Sequence, residues 1–207
     1  ARAVHNGMID RRPSAVLKVA NTGDVISTIR YARENELDLA IRGGGHSGPG
    51  FGTVDDGVVI DFSNVRSVWV DPAARTARAD AGATWGDMNA ATHAFGLATP
   101  GGIISTTGIA GLTLGGGVGY LTRGFGLSID NLISVDVVTA DGQFLVASDD
   151  ENADLFWALR GGGGNFGVCT SFEYRLHPLK EVYWGPMFYE IEDTEKIFQF
   201  YREYMKD

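Results

Sequence analysis

The sequence has almost no cysteine and no membrane-spanning run. Cys169 is the single cysteine among 207 residues, so no disulfide can form within the chain and no zinc site can be built from cysteines. No apolar run approaches the roughly 20 residues that cross a bilayer. No signal peptide opens the chain, although Ala1 need not be the native start. These absences predict a soluble protein of the cytoplasm.

Basic residues are also scarce. Lys and Arg number 17 against 26 Asp and Glu, which gives a net charge of −9. Nucleic acids and anionic membranes require a basic patch, so the sequence predicts neither kind of partner. Histidines and cysteine do not cluster at the spacing of metal ligands, and no metal is expected. Neither a P-loop nor a G-x-S-x-G motif occurs, which excludes those two classes of catalytic site.

Glycine, in contrast, is abundant. The chain has 29 glycines in 207 residues, about twice the usual share of roughly 7%. They cluster in three segments: RGGGHSGPGFG from Arg42, PGGIISTTGIAGLTLGGGVG from Pro100, and RGGGGNFGV from Arg160. Because glycine has no Cβ, its main chain can approach another group closely. The clusters therefore predict a site where backbone surrounds a ligand.

The first glycine segment carries a histidine at its tip, His46. It matches G-x-G-x-x-G, but Pro49 and Gly50 follow where a dinucleotide-binding helix would begin. The match beginning at Gly162 follows a helix and precedes a strand, which is the reverse order. The first loop is thus expected to hold a diphosphate through its own N–H groups. The alternative to a chemical role is that His46 is an exposed loop histidine without a function.

Together the three segments resemble the FAD-binding domain of the vanillyl-alcohol-oxidase class (PCMH-type), most closely its berberine-bridge-enzyme-like branch. The resemblance covers about residues 6–176. It implies that His46 attacks the 8α carbon of the flavin through a neutral imidazole nitrogen and carries FAD covalently. Members with a second, thioether link have a cysteine where Ile104 stands here. The pattern is therefore closer to the singly attached bacterial branch.

The resemblance also implies which residues bind the cofactor. The segment Ile41, Arg42, Gly43, Gly44, Gly45, His46 and Ser47 would hold the diphosphate and the ring. Flavin and phosphate would be lined by Ile104, Thr107, Gly108, Ile109, Ala110, Gly111, Leu112 and Gly119, and adenine would meet the backbone of Val168.

Hydrophobic periodicity and turn signals predict α+β structure. Helices are expected at 24–35, at 84–95, from an Asn152 cap to 160, and from an Asp193 cap to the last residue. Strands are expected at 37–41, 57–62, 65–70, 76–81, 168–176 and 183–191, with a hairpin at 133–146 around Asp141-Gly142. The resemblance implies an FAD-binding subdomain at 1–63, a second at 64–178, and at 179–207 the truncated start of an antiparallel-sheet substrate domain.

The implied activity is that of an FAD-dependent oxidase or dehydrogenase. A hydride would pass from the C–H of an alcohol, sugar or amine to the flavin, with oxygen or another acceptor reoxidising it. No catalytic acid or base is identified, the oligomeric state is left open, and the chain is expected to be incomplete for catalysis. Two alternatives remain: a noncovalent FAD reductase of similar fold, such as the cell-wall enolpyruvoyl reductase, and a noncovalent FAD electron-transfer module that works with a partner chain.

Overall fold

The first sheet is parallel and leads directly into the histidine-bearing loop. The computed structural model describes residues 2–179, 181–183 and 185–206. Strands β1 (Ala15–Lys18), β2 (Leu39–Arg42) and β3 (Val58–Asp61) pair in the order β1-β3-β2. Helix α1 (Thr22–Glu34) joins β1 to β2 and buries Val25, Ile29 and Ala32. The predicted helical face is therefore confirmed, and the Asn21 side chain caps it by accepting from the Asp24 N–H.

The second sheet is antiparallel and has five strands in the order β4-β5-β9-β7-β8. Their bounds are β4 (Val68–Asp71), β5 (Thr76–Asp80), β7 (Leu132–Val138), β8 (Phe144–Ser148) and β9 (Val168–Arg175). The hairpin of β7 and β8 is confirmed, since Gly142 adopts a φ of +84° in its turn.

Shorter elements connect and cover the sheets. They are β6 (Leu97–Ala98) paired with β10 (His177–Pro178), and the helices α2 (Trp85–His93), α3 (Ile109–Leu114), α4 (Thr122–Phe125), α5 (Ala153–Leu159) and α6 (Thr194–Tyr204). The 3₁₀ turns lie at Ser128–Asn131 and Ile191–Asp193. The α+β class is thus confirmed. The largest fully buried side chains include Trp85, Tyr174, Phe62 and Phe156.

Three local predictions are wrong. Of the proposed strand 183–191, the described residues 183 and 185–190 form no strand, and Tyr183 and Phe188 lie exposed without a neighbouring strand. Asn152 does not cap α5 with its side chain; it adopts a left-handed φ of 49°, and its Nδ2 donates to the Val146 carbonyl. Asp193 precedes α6 but does not cap it with its side chain, which instead accepts from Lys196 Nζ. Helix α3 lies in a segment for which no element was predicted.

The domain bounds 1–63, 64–178 and 179–207 stay a prediction. The first sheet ends with β3 at Asp61, and the second begins with β4 at Val68.

In the described part of the chain, every helix is too short or too polar to cross a bilayer. The cellular compartment stays a prediction.

Candidate functional site

A cleft of about 750 Å³ lies between the three glycine segments. Small-molecule sites in proteins usually measure roughly 300–1,000 Å³. Leu39, Ile41 and Val168 line both this cleft and an adjoining pocket of about 480 Å³ beside α1. The two spaces form an elongated site, long enough to hold a ligand with several linked groups.

The cleft floor is formed where two glycine segments touch, backbone against backbone. A Cβ built on Gly44 would lie 2.3 Å from the Gly108 nitrogen, and one on Gly108 would lie 2.4 Å from the Gly44 nitrogen. No real Cβ survives such distances, so both positions require glycine. On its other side Gly108 bridges Thr84, and the Ile109 N–H donates to the Ala83 carbonyl at 3.0 Å. The second segment is thereby fixed to the start of α2.

The histidine loop is held at both ends. At its start, the Arg42 carbonyl accepts from the Phe62 N–H at 3.0 Å, which continues the pairing of β2 with β3. Farther on, the Ser47 hydroxyl accepts from the Phe51 N–H at 3.0 Å. Gly45 and Gly50 adopt φ values of +70° and +80°, in the region that favours glycine. The loop therefore has a defined shape around the cleft.

His46 has partners on both ring nitrogens and on one ring face. Its Nε2 lies 3.0 Å from the Thr106 hydroxyl and its Nδ1 lies 3.2 Å from the Thr107 hydroxyl. The His5 ring stacks on it, with centroids 4.1 Å apart and planes 13° apart. In a neutral imidazole one nitrogen donates and the other accepts, and threonine hydroxyls can complement both.

The electrostatics favour the neutral form of His46. Burial lowers the pKa of its imidazole below the ordinary value, and the neighbouring charge of His5 lowers it further. The group therefore keeps a nitrogen lone pair into mildly acidic solution. Such a nitrogen can act as a nucleophile or as a proton acceptor at the mouth of the cleft.

Cys169 also lines the cleft but is not chemically activated. It is buried at the start of β9, and burial raises the pKa of its thiol to about 12. Because the thiolate is the reactive form, this cysteine behaves as a small apolar side chain. The prediction of a buried, unreactive Cys169 is consistent with this environment.

Most of the residues predicted to bind the cofactor come together at the cleft. Those that line it are Ile41, Arg42, Gly43, Gly44, Gly45, His46, Ser47, Thr107, Gly108, Ala110, Gly111, Leu112 and Val168. Three do not line it. Ile104 is exposed outside the cleft lining, although its carbonyl accepts from the Thr107 N–H at 3.0 Å. Ile109 is fully buried on the core side of α3, and Gly119 packs against Gly101, whose carbonyl oxygen lies 1.6 Å from a Cβ built there.

Sequence reasoning missed several residues of the site. The third glycine segment contributes Gly163, Gly164 and Asn165 as well as Val168, and its glycine run was the signal that could have identified them. Phe62 and Ala81 line the floor without any local signal. The contacts of Thr106 and His5 with His46 join residues distant in sequence, which no motif reveals. Among residues 2–179, 181–183 and 185–206, no cluster of three or more His, Cys, Asp or Glu side chains could hold a metal.

Comparison with protein families matches residues 13–148 to the model described as FAD binding domain. An FAD-linked oxidoreductase from Dictyostelium discoideum is 41% identical over 178 residues, which cover 86% of this chain and 39% of that protein. The chain thus spans about two fifths of the length of that relative.

Solved structures share the fold. The 6-hydroxy-D-nicotine oxidase of Arthrobacter nicotinovorans matches with a TM-score of 0.84 and 40% identity, covering 86% of this chain and 39% of that one. A glucooligosaccharide oxidase from Acremonium strictum, whose FAD is 6-S-cysteinyl, 8α-N1-histidyl, matches with a TM-score of 0.80 and 32% identity; the match covers 84% of this chain and 37% of the oxidase.

Proposed function

This chain belongs to the FAD binding domain family, and we propose that it is the FAD-binding part of an FAD-dependent oxidoreductase whose flavin is held covalently by His46. The observation that carries the proposal is the His46 imidazole at the mouth of the glycine-lined cleft, held between the Thr106 and Thr107 hydroxyls. The substrate chemistry belongs to the whole protein and is proposed with it.

The cleft and its adjoining pocket fit FAD. Gly43, Gly44 and Gly45 line the cleft without side chains that would cover their main chain. A diphosphate can therefore approach their backbone N–H groups closely. Arg42 adds a positive charge to the same wall. The adjoining pocket between Ile41 and Val168 suits the flat adenine ring, in agreement with the role proposed for Val168.

Attachment requires a neutral imidazole. The new bond would join one His46 nitrogen to the 8α carbon of the flavin; that carbon would lose a proton, and the imidazole would lose its N–H proton. The electron pair would pass to the flavin and from there to oxygen or another acceptor. Burial and the His5 charge favour the unprotonated ring that this step needs.

We propose a single covalent bond between the protein and the flavin, because the two other positions considered for attachment cannot form one. Ile104 stands where doubly attached members carry a thiol, and its side chain cannot form a thioether. Cys169 reaches the cleft, but its thiol stays protonated. His46 is therefore the one attachment point that we propose.

The bound flavin would accept a hydride from the C–H of an alcohol, sugar or amine, and oxygen would be its acceptor, as the oxidase relatives suggest. The protein's own contribution within these residues is to bind the cofactor, orient it and shield one wall from water. We assign no catalytic acid or base here.

Acid precipitation of the purified protein tests the attachment. We expect yellow colour to stay with the wild-type precipitate and a tryptic peptide containing His46 to carry the mass of FAD. His46→Ala should lose all acid-stable flavin, whereas the matched variant His93→Ala, at an exposed position on α2, should keep it. Complete release of flavin from the wild type would support the alternative of a noncovalent electron-transfer module.

Alkylation tests the single link. With His46 as the one attachment point, the Cys169 thiol of the unfolded holoprotein should react completely with iodoacetamide. A flavin-bearing peptide that contains Cys169 would contradict this expectation.

A further inference from the structure

The segment before β1 crosses the histidine loop and is fastened to it. The His5 N–H donates to the Gly45 carbonyl at 3.0 Å, and Asn6 Nδ2 donates to the Gly48 carbonyl at 2.8 Å. Ile9 occupies the space beside Gly50, where a Cβ would lie 2.8 Å from Ile9 Cγ2. These contacts fix the backbone of His5 directly above the loop that carries His46.

The His5 ring covers one face of the His46 imidazole at 4.1 Å, nearly parallel to it. The Thr106 and Thr107 hydroxyls bind the two nitrogens in the plane of the same ring. His46 is thus restrained both in its plane and across one face. A ring restrained in this way presents its nitrogens in a fixed direction, which favours reaction with a correctly placed partner.

The stack also couples the two rings electrostatically. Free imidazoles gain a proton near pH 6.5, and two positive rings at this distance repel each other. His5 comes from the crossing segment, and Arg42 comes from β2, where its Nε lies 3.3 Å from a Cβ built on Gly45. A positive charge on His5, stacked at 4.1 Å, opposes a positive charge on His46.

We propose that His5 is a positioning residue for covalent flavin attachment, which holds the His46 ring in place and keeps it unprotonated so that it can react. The inference rests on the proposed function in that the flavin is taken to attach at His46. His5 itself exchanges no atom with the flavin. Its effect is therefore expected in the pH dependence of attachment rather than in the identity of the product.

The first measurement follows the His46 ring in the apoprotein, prepared from a riboflavin-starved host. Proton NMR titration should give a higher pKa for His46 in His5→Phe than in the wild type, because the repelling charge of His5 is removed. His93→Phe, a matched change at an exposed histidine of α2, should leave it unaltered. An unchanged His46 titration in His5→Phe would overturn the coupling.

The second measurement adds FAD to the apoprotein and quenches in acid at timed intervals between pH 5.5 and 8.5. His5→Phe keeps a flat ring, so its attachment rate should equal that of the wild type at pH 8 and fall below it, by up to roughly threefold, at pH 6. His5→Ala also loses the stacked ring and should be slower at every pH. Equal rates for His5→Phe and wild type at pH 6 would overturn the proposal, since a packing role alone would leave the pH profile unchanged.

The two measurements separate this proposal from the proposed function. A wild type that attaches FAD while both His5 variants match it overturns the role of His5 alone. A wild type that never attaches FAD overturns the proposed function and this role together. In that case the NMR titration still reports whether the two rings are coupled.

Discussion

Two walls of the cleft are rich in glycine for different physical reasons. At Gly44 and Gly108 the protein itself leaves no space for a side chain, because each backbone occupies the position of the other's Cβ. At Gly163 and Gly164, in the third glycine segment, a Cβ would meet nothing within 4 Å. Gly163 needs its positive φ of +68°, but Gly164 has no such requirement. Glycine at positions 44 and 108 is a condition of folding, whereas Gly164 keeps space open for whatever enters the cleft.

The structure therefore distinguishes glycines that the folded protein requires from glycines that leave room for a ligand. The sequence alone shows both kinds as glycine. Substitution at Gly44 or Gly108 should damage the apoprotein. Substitution at Gly164 should leave the apoprotein intact and act through the ligand. The following predictions test that separation.

The largest effect is expected for Gly44→Ala. Its Cβ would lie 2.3 Å from the Gly108 nitrogen, so the two segments must separate, at a cost of about 3 kcal/mol or more in the free energy of unfolding. Urea unfolding of the apoprotein measures this cost. Gly48→Ala is the matched control in the same loop, because a Cβ there meets nothing within 4 Å. Equal stability of Gly44→Ala and Gly48→Ala would refute the distinction between the walls.

An intermediate effect is expected for Gly164→Val, and it should concern binding. The apoprotein should unfold within about 0.5 kcal/mol of the wild type, whereas the affinity for FAD should fall roughly tenfold, about 1.4 kcal/mol. Fluorescence titration in a His46→Ala background isolates noncovalent binding. Gly185→Val, which has equally open space but lies outside the cleft, should bind FAD normally. A destabilised Gly164→Val apoprotein with unaltered affinity would reverse our assignment of this wall.

The smallest effect is expected for Gly111→Ala on the first wall. Gly111 lies within α3, and a Cβ there meets nothing within 4 Å. Replacing a helical glycine by alanine should raise the free energy of unfolding by roughly 0.5–1 kcal/mol. Thermal unfolding of the apoprotein measures the gain. A loss of stability would show that even the open positions of this wall are constrained by the protein.

The sequence predicts the regular parts of this fold well, and the reasons are local. Helix α1 has a capping Asn21 and apolar residues one turn apart, and the β7–β8 hairpin has the Asp141-Gly142 pair that its turn needs. Helix α3, which begins at Ile109, was not predicted because its N-cap residue is Gly108, which has no side chain to cap it. The predicted strand at 183–191 is rich in aromatic and apolar residues, but without a partner strand such a segment does not form a sheet.

The candidate site also combines features that local sequence predicts with features that only tertiary contacts produce. The loop with His46 at its tip can be predicted from the sequence, because a glycine run and a reactive side chain occur together there. The contact of Gly44 with Gly108 and the stack of His5 on His46 are tertiary, and neither spacing nor composition encodes them. Ile109 shows the limit most clearly. It belongs to the motif that lines the cleft, yet the turn of α3 directs it into the core.

The position of β9 has a consequence for the order in which the protein is completed. This strand lies between β5 and β7, although it follows both along the chain. Until β9 has been synthesised, β5 and β7 each keep an unpaired edge, and such edges are prone to aggregation. Pairing between strands far apart along the chain is also slow. Val168 and Cys169, at the start of β9, also form part of the cleft wall. The cleft is therefore finished only when the sheet closes, so FAD would meet a protein that has already folded.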